Sequence, residues 1–249
     1  GDFVDESEGT GFVHVAPSYG EDDFNLAKLH GIKIHDIVHD NGVYKENTPL
    51  FAGVHVFKAD VKVIESLKAE NNLIGEREYS HSYPHSWRSK KPVIYRTTPQ
   101  WFISMDKNKL REKALKGIEN TNWIPASSKN RIKKMVNDRP DWCVSRQRSW
   151  GVPLTIFIDK KTGEPLRDKE IMDKIILEVE KNGSDIWLSS DASKFLGKDK
   201  DPKNYEIIQD ILDVWFDSGA THAFVLEDKL EWPADLYLEG TDQHRGFFQ

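Results

Sequence analysis

Apolar residues recur every three or four positions in four stretches of the chain, the spacing that places them on one face of an α-helix. Two of these stretches follow polar residues that can cap a helix, Asp106 for one and Ser127 or Ser128 for the other. The pattern therefore predicts four amphipathic helices. Their apolar positions are Val61, Ile64 and Leu67; Leu110, Ala114, Leu115 and Ile118; Ile132, Met135 and Val136; and Ile171, Ile175, Ile176 and Val179.

Shorter apolar runs bounded by proline or polar residues predict strands. Residues 11–16 are strand-forming and end at Pro17, which has no N–H to donate to a ladder, so His14 is expected near a strand end. Residues 235–238 form a similar run before a polar turn at 239–246. The mixture of helices and short strands predicts an α/β fold. Further strands are predicted at 34–38, 53–57, 93–96 and 101–104.

A fifth, shorter helix is predicted before Gly31, because Asp22 and Asp23 favour its N-terminus and glycine favours its end. Farther along, residues 80–89 are rich in serine, histidine and proline, which is typical of a connection. We therefore expect two domains, residues 1–90 and 91–249.

Composition narrows the class of protein. With 249 residues and 38% apolar residues, the chain can build a buried core, and no run approaches the ~20 apolar residues of a membrane span. The first six residues do not resemble a secretory signal, so a cytoplasmic location is expected. Cys143 is the only cysteine, which excludes an internal disulfide or a thiolate zinc knuckle. A net charge of -6 argues against nonspecific coating of nucleic acid, although residues 129–134 form a local basic patch.

Four blocks together resemble the isoleucyl-tRNA synthetase family. Residues 9–23 contain GTGFVHVAP and then GEDD, and residues 141–153 read DWCVSRQRSWGVP. Residues 213–219 read DVWFDSG, and residues 238–246 read LEGTDQHRG. The SRQR-WG block is shared with the leucyl and valyl relatives, whereas EG-DQHRG resembles the isoleucyl member in particular. The order of the blocks indicates an internal piece of such an enzyme.

The resemblance implies part of a β-rich editing domain in residues 1–90, followed by part of a Rossmann-type class I catalytic domain in residues 91–249. It implies an ATP-dependent ligase that activates L-isoleucine as an adenylate and transfers it to tRNA(Ile), with ATP and Mg²⁺ as substrate. It also implies hydrolytic editing of mischarged Val-tRNA(Ile). No membrane partner is expected, and the protein is expected to be a monomer.

Editing is needed because one methylene in an apolar pocket gives only about 1–3 kcal/mol of discrimination, a limit for which this family is itself the standard example. The resemblance assigns Asp23 to the α-amino group of the mischarged residue and places His14 beside the terminal ribose. An ionised carboxylate suits an ammonium group, and a neutral imidazole can orient a hydroxyl or a water. Taken alone, Asp23 is better explained as an N-cap and His14 as an ordinary strand residue.

For synthesis, the resemblance places Glu239, Gly240, Asp242 and Gln243 around the aminoacyl-adenylate. Carboxylates suit ribose hydroxyls and an ammonium, and a glycine lets a ligand approach the backbone. A solvated turn with an N-cap would account for Thr241 or Asp242 but not for the whole block.

Two aromatic residues are assigned to the amino-acid pocket by the same resemblance. Trp215 is expected in the apolar wall for the isoleucine side chain, although a lone tryptophan is more often a core residue. Phe247 stands where the family usually has tryptophan. Phenylalanine keeps the wall apolar but is smaller, so the fit around isoleucine is expected to differ.

No zinc is predicted in this chain. Many relatives have cysteine pairs where this sequence has Ser86 and Ser89, and again where it has residues 158–161. His81 and His85 are four residues apart but lack a helical pattern and partner ligands, so we interpret them as loop residues.

Two readings from other classes remain open, a stand-alone trans-editing aminoacyl-tRNA hydrolase and a noncatalytic RNA-binding module. The chain contains no HIGH-like or KMSKS-like ATP signature, and the family's threonine-rich editing strand would precede residue 1. We therefore expect the chain by itself neither to form an adenylate nor to deacylate Val-tRNA efficiently.

Overall fold

The computed structural model describes residues 4, 5, 7 and 9–249, and the chain divides into two compact units after Pro99. This division lies beyond the boundary expected near residue 90. The intervening segment bonds within the first unit, where the Tyr83 hydroxyl donates to the Val93 carbonyl at 2.9 Å and Arg96 pairs with Asp40. A segment rich in proline and serine thus remains attached to the unit that precedes it.

The first unit contains two α-helices, α1 (Glu21–Leu29) and α2 (Ala59–Ala69), both at predicted positions. The helix α1 begins with three acidic residues, and Gly31 beyond its end has a φ of 64°, in the left-handed region that glycine favours.

The predicted strands of the first unit are wrong as continuous strands. In residues 9–99 the β-type pairing is limited to isolated bridges, which join Val38 to Tyr44, Val43 to His55 and His85 to Pro92. A β-forming run becomes a strand only where another segment pairs with it, and no segment in the described residues pairs with 11–16 or 93–96. His14 consequently lies in an extended, exposed segment and not at the end of a strand.

Helices dominate the second unit. The three that were predicted form, but Asp106 makes an ion pair with Arg111 at 2.8 Å instead of capping, and neither Ser127 nor Ser128 caps the helix that follows. Asp168 does cap its helix by accepting two backbone N–H groups. The helices are α3 (Leu110–Asn120), α4 (Ser127–Asn137), α5 (Lys169–Asn182), α6 (Asp185–Ser189) and α7 (Val214–Gly219).

Three two-stranded antiparallel ladders connect these helices within the described part of the unit. The expected strand at 235–238 is absent there, because those residues have no pairing partner, and Leu236 and Leu238 remain exposed. The turn after it forms a 3₁₀ helix, Thr241–Arg245. The ladders are β1 (Phe102–Ile103) with β2 (Trp142–Cys143), β3 (Ser145–Arg146) with β6 (Ile211–Leu212), and β4 (Phe157–Asp159) with β5 (Tyr205–Ile207).

An aromatic core holds α5, α6 and the β4–β5 ladder together. Phe157, Trp187 and Phe195 are almost fully buried, and Ile171 and Ile175 from α5 pack with them. The ring centroids of Phe157 and Trp187 are 4.9 Å apart, in an edge-on arrangement. In the described residues, no helix is long and apolar enough to cross a membrane.

Candidate functional site

Asp213 lies at the centre of the candidate site in the second unit, where its carboxylate contacts three other residues. Pairing of β3 with β6 brings Arg146 beside this buried carboxylate, with 2.7 Å between Arg146 Nη2 and Asp213 Oδ2. The indole Nε1 of Trp142 donates to the same oxygen at 2.9 Å. The other oxygen, Oδ1, accepts the backbone N–H of Trp215 at 3.2 Å and so caps α7. One carboxylate therefore fixes the start of the helix that carries Trp215.

A cavity of about 420 Å³ opens beside α7. Trp215 and Phe247, the two aromatic residues assigned to the amino-acid pocket, both line it. Trp142 and Phe216 add apolar surface, and Arg139 adds a charge. The volume lies within the range of small-molecule sites, and its mostly aromatic lining suits an aliphatic side chain.

Gly246 lets the backbone approach the Trp215 ring closely. A Cβ at this position would lie 2.8 Å from Trp215 Cη2 and 2.4 Å from Gln243 Oε1. Both distances are too short for real contacts, so any larger residue at 246 would displace the ring or the amide. The glycine of the DQHRG block thus has a steric role in the wall of the cavity.

The polar turn adjoins this cavity through Gln243. Its amide oxygen accepts the backbone N–H of Phe247 at 3.1 Å, and its amide nitrogen donates to Asp242 Oδ2 at 3.1 Å. Gly240 precedes the 3₁₀ helix in an extended conformation. Gln243 and Asp242 are therefore connected directly to the pocket wall, although neither side chain lines the cavity itself.

Tyr237 connects the remaining predicted residue, Glu239, to the pocket. Its ring stacks on Phe247 with a centroid distance of 4.0 Å and an interplanar angle of 10°. Glu239 is exposed, and its carboxylate is close enough to act electrostatically on the Tyr237 hydroxyl. Desolvation raises the pKa of the Tyr237 hydroxyl, and the charge of Glu239 raises it further, so the phenol remains a hydrogen-bond donor at neutral pH.

Sequence reasoning did not assign a role to Asp213, Tyr237 or Gly246. Asp213 lies inside the DVWFDSG block, but its partners are 67 and 71 residues earlier in the chain, a pairing that only the fold reveals. Tyr237 falls in the run that the sequence predicts as a strand. Asp213 and Gly246 lie within blocks that carry the resemblance, and this was the available signal for them, whereas Tyr237 immediately precedes the last block.

The editing residues lie in the first unit. Asp23 is the third residue of α1, not its N-cap, and its Oδ2 accepts the Ala16 backbone N–H at 2.8 Å. The other carboxylate oxygen has no hydrogen-bond partner among the described residues. His14 is exposed.

The first unit also contains a cavity of about 390 Å³ that neither Asp23 nor His14 lines. Its walls are largely aromatic, with Tyr19, Tyr44, Phe57, Tyr83 and Tyr95. Burial raises the pKa of the Tyr19 phenol. The described residues contain no cluster of three or more histidine, cysteine or acidic side chains that could hold a metal ion.

Comparison with known proteins gives the class. The family model described as tRNA synthetases class I (I, L, M and V) matches residues 25–249, and the chain belongs to this family. The residues that surround the cavity, from Arg139 to Gln249, all lie inside that match.

Individual relatives refine the comparison. The chain is 54% identical over 248 residues to the isoleucine–tRNA ligase of Pelagibacter ubique, an alignment that covers 99% of this chain and 27% of the relative. It is 50% identical to the isoleucine–tRNA ligase of Gluconobacter oxydans and 51% identical to that of Idiomarina loihiensis, with all of this chain aligned in both cases. The chain spans about 27% of the first relative's length, which agrees with the expected internal piece.

Proposed function

We propose that this chain is part of an isoleucine–tRNA ligase and contributes the amino-acid side of its synthetic site. The observation that carries the proposal is the aromatic cavity between Trp215 and Phe247, adjoined by an acidic turn, in a chain about half identical to isoleucine–tRNA ligases. A largely aromatic cavity next to a turn that carries two carboxylates matches isoleucine, which has an aliphatic side chain and an ammonium group.

In the proposed reaction, the carboxylate of isoleucine attacks the α-phosphorus of ATP, the bond to the β-phosphate oxygen breaks, and pyrophosphate leaves. The acyl group then passes to a ribose hydroxyl of tRNA(Ile), which releases AMP. Trp215 and Phe247 would hold the side chain, while Glu239 and Asp242 would accept hydrogen bonds from the ammonium and the ribose. Gln243 would keep Asp242 and the backbone of Phe247 in register. ATP and its Mg²⁺ would act as substrate.

The first unit would contribute to hydrolytic editing of Val-tRNA(Ile). The free carboxylate oxygen of Asp23 would bind the α-amino group of the misattached residue, and His14 would lie beside the terminal ribose. Residues 1–90 would then be part of the editing domain and residues 91–249 part of a Rossmann-type catalytic domain. A monomeric, cytoplasmic enzyme completes the proposal.

Substitution of Glu239 tests the synthetic role. In a full-length ligase that contains this chain, Glu239→Gln should lower kcat/KM for isoleucine-dependent ATP–pyrophosphate exchange by roughly 10- to 100-fold, because a charge-assisted hydrogen bond contributes about 1.5–3 kcal/mol. Glu231→Gln is the matched control, since Glu231 is an exposed acid outside the turn. Equal rates for the two variants would refute the assignment.

Asp23 provides the corresponding test of editing. Asp23→Ala in the same ligase should leave isoleucine-dependent exchange unchanged and allow Val-tRNA(Ile) to accumulate, while Asp22→Ala, one residue earlier on α1, should not. Normal deacylation of Val-tRNA(Ile) by the Asp23 variant would favour the noncatalytic RNA-binding reading for the first unit.

A further inference from the structure

A second cavity, of about 650 Å³, lies beside the aromatic one and has a different chemical character. It shares Arg139, Arg245 and Gln249 with the aromatic cavity, so the two spaces adjoin. Four cationic side chains line it against a single carboxylate. The charged residues are Arg131, Lys134, Arg139, Arg245 and Asp138, and we call this space the cationic cleft.

Only one of the four cations is neutralised within the described residues. Lys134 forms an ion pair with Asp138 at 2.9 Å. The Arg131 guanidinium donates to the neutral hydroxyl of Thr241 at 3.3 Å, in the turn proposed to bind the adenylate. Neither Arg139 nor Arg245 has a carboxylate within ion-pair distance in the described part of the chain. Three guanidinium groups therefore face the cationic cleft without a counter-ion.

Partial burial disfavours the charged form of the Arg139 guanidinium. Its guanidinium lies 5.1 Å from the centroid of the Trp142 ring, and the residue is half-buried. Desolvation lowers the pKa of Arg139, and the more distant charge of Asp213 offsets this only in part. A half-buried cation without a carboxylate partner is stabilised when an anion enters beside it.

Two lysines on α4, in contrast, are neutralised by a carboxylate. Lys129 and Lys133 on α4 both contact Glu119 at 2.6 Å, and these two lysines hold the pKa of the Glu119 carboxyl at about 2. Arg131 lies between them in sequence but is paired with no carboxylate and lines the cationic cleft. One face of α4 is thus neutralised, whereas the other remains positively charged.

We propose that the cationic cleft binds phosphate groups of an RNA backbone. Arginine presents a planar fork of N–H donors that matches two phosphate oxygens, and arginine is the cation that predominates here. Because Arg139 and Arg245 border both spaces, the bound phosphate lies next to the aromatic cavity. The choice of RNA over other polyanions rests on the proposed function, whereas the affinity for phosphate rests on the cleft alone.

Binding of a fluorescently labelled RNA hairpin with a single-stranded CCA end, measured by anisotropy with the 249-residue chain, tests this proposal. Arg131→Gln should weaken binding by about tenfold and reduce the log–log salt slope by about 1, as expected when one phosphate contact is lost. Arg131→Lys should retain the slope, because the charge remains. Lys133→Gln is the matched control on the same helix and should bind like the unaltered chain, since Lys133 lies outside the cleft.

Competition with inorganic pyrophosphate separates the two sources of phosphate. RNA binding that depends on Arg131 and resists millimolar pyrophosphate supports an RNA backbone site. Displacement of RNA by pyrophosphate, again dependent on Arg131, supports the phosphate site but assigns it to nucleotide. If the chain does not bind the hairpin, or if Arg131→Gln and Lys133→Gln bind it equally, the proposal is overturned. These measurements require no aminoacylation, so their failure is distinct from loss of isoleucine-dependent exchange.

Discussion

Two groups of aromatic side chains in the second unit differ in exposure although each contains a pair of rings in close contact. Phe157 and Trp187 are at most 2% exposed, whereas Trp215 is 37% exposed and faces a cavity. Centroid distances are comparable, 4.9 Å for Phe157 with Trp187 and 4.0 Å for Tyr237 with Phe247. Ring contacts alone therefore do not separate a group that stabilises the fold from one that can receive a ligand, but solvent access does.

The comparison predicts its largest effect in the buried group. Trp187→Ala should lower the free energy of unfolding by about 3–5 kcal/mol, because it leaves a cavity in the core and removes the indole N–H that donates to the Ile208 carbonyl at 3.0 Å. Urea denaturation of the 249-residue chain measures this. Trp150→Ala is the control, since Trp150 is 89% exposed and should change stability by less than about 0.5 kcal/mol. Similar losses in both variants would contradict the comparison.

Asp213 contacts residues that stabilise the fold and residues that line the aromatic cavity, so its loss should affect both stability and ligand binding. Asp213→Asn leaves Arg146 without its ionic partner, and because the Arg146 side chain is 39% exposed we expect a loss of about 1–3 kcal/mol, less than for a fully buried pair. An asparagine amide has one acceptor oxygen in place of two, so it cannot accept both the Trp215 backbone N–H and the Trp142 indole N–H. Trp215 should therefore shift, which would raise KM for isoleucine in a full-length ligase. Asp235→Asn, an exposed change of the same kind, should alter neither quantity. A stability loss with an unchanged KM would show that Asp213 supports the fold alone.

Substitution of Phe247 should have a small effect on the free energy of unfolding and a larger effect on KM for isoleucine. Phe247→Ala removes the ring that stacks on Tyr237 at the edge of the cavity, so unfolding should cost about 1 kcal/mol less. In a full-length ligase, KM for isoleucine should rise about tenfold, since one apolar wall is lost. Phe247→Trp should keep an apolar wall and should not show this loss. An Ala variant with unaltered KM would remove Phe247 from the proposed pocket.

The smallest expected effect is a pH dependence at Asp217. Desolvation raises the pKa of this carboxyl, and the nearby charge of Asp213 raises it further. The folded chain therefore binds a proton more tightly than the unfolded chain, and stability falls as pH rises from about 3.8 through the raised pKa, then stays level. Asp217→Asn should be slightly more stable at pH 7 and should lack this slope in thermal melts. A slope that persists in the variant would assign it to another group.

Local pattern predicted helices well and strands poorly in this chain. The helix α5 lies where its apolar spacing placed it, because an amphipathic face and the Asp168 cap act within a few residues of sequence. A strand needs a partner, so the apolar run at 235–238 could not reveal on its own that nothing pairs with it. The same distinction explains the site. Resemblance selected Trp215 and Phe247, but the carboxylate that holds Trp142 and Arg146 depends on contacts across the fold.

The contact between Gly246 and Trp215 has a consequence for attempts to alter substrate range. That wall is set by main chain against an indole, so it cannot be moved inward by adding even a methyl group. Another part of the wall is the Phe247 ring, which stacks on the face of Tyr237, and we expect it to tolerate exchange for other flat side chains. Selection for variants that accept shorter or longer aliphatic amino acids should therefore recover changes at position 247 and leave position 246 untouched.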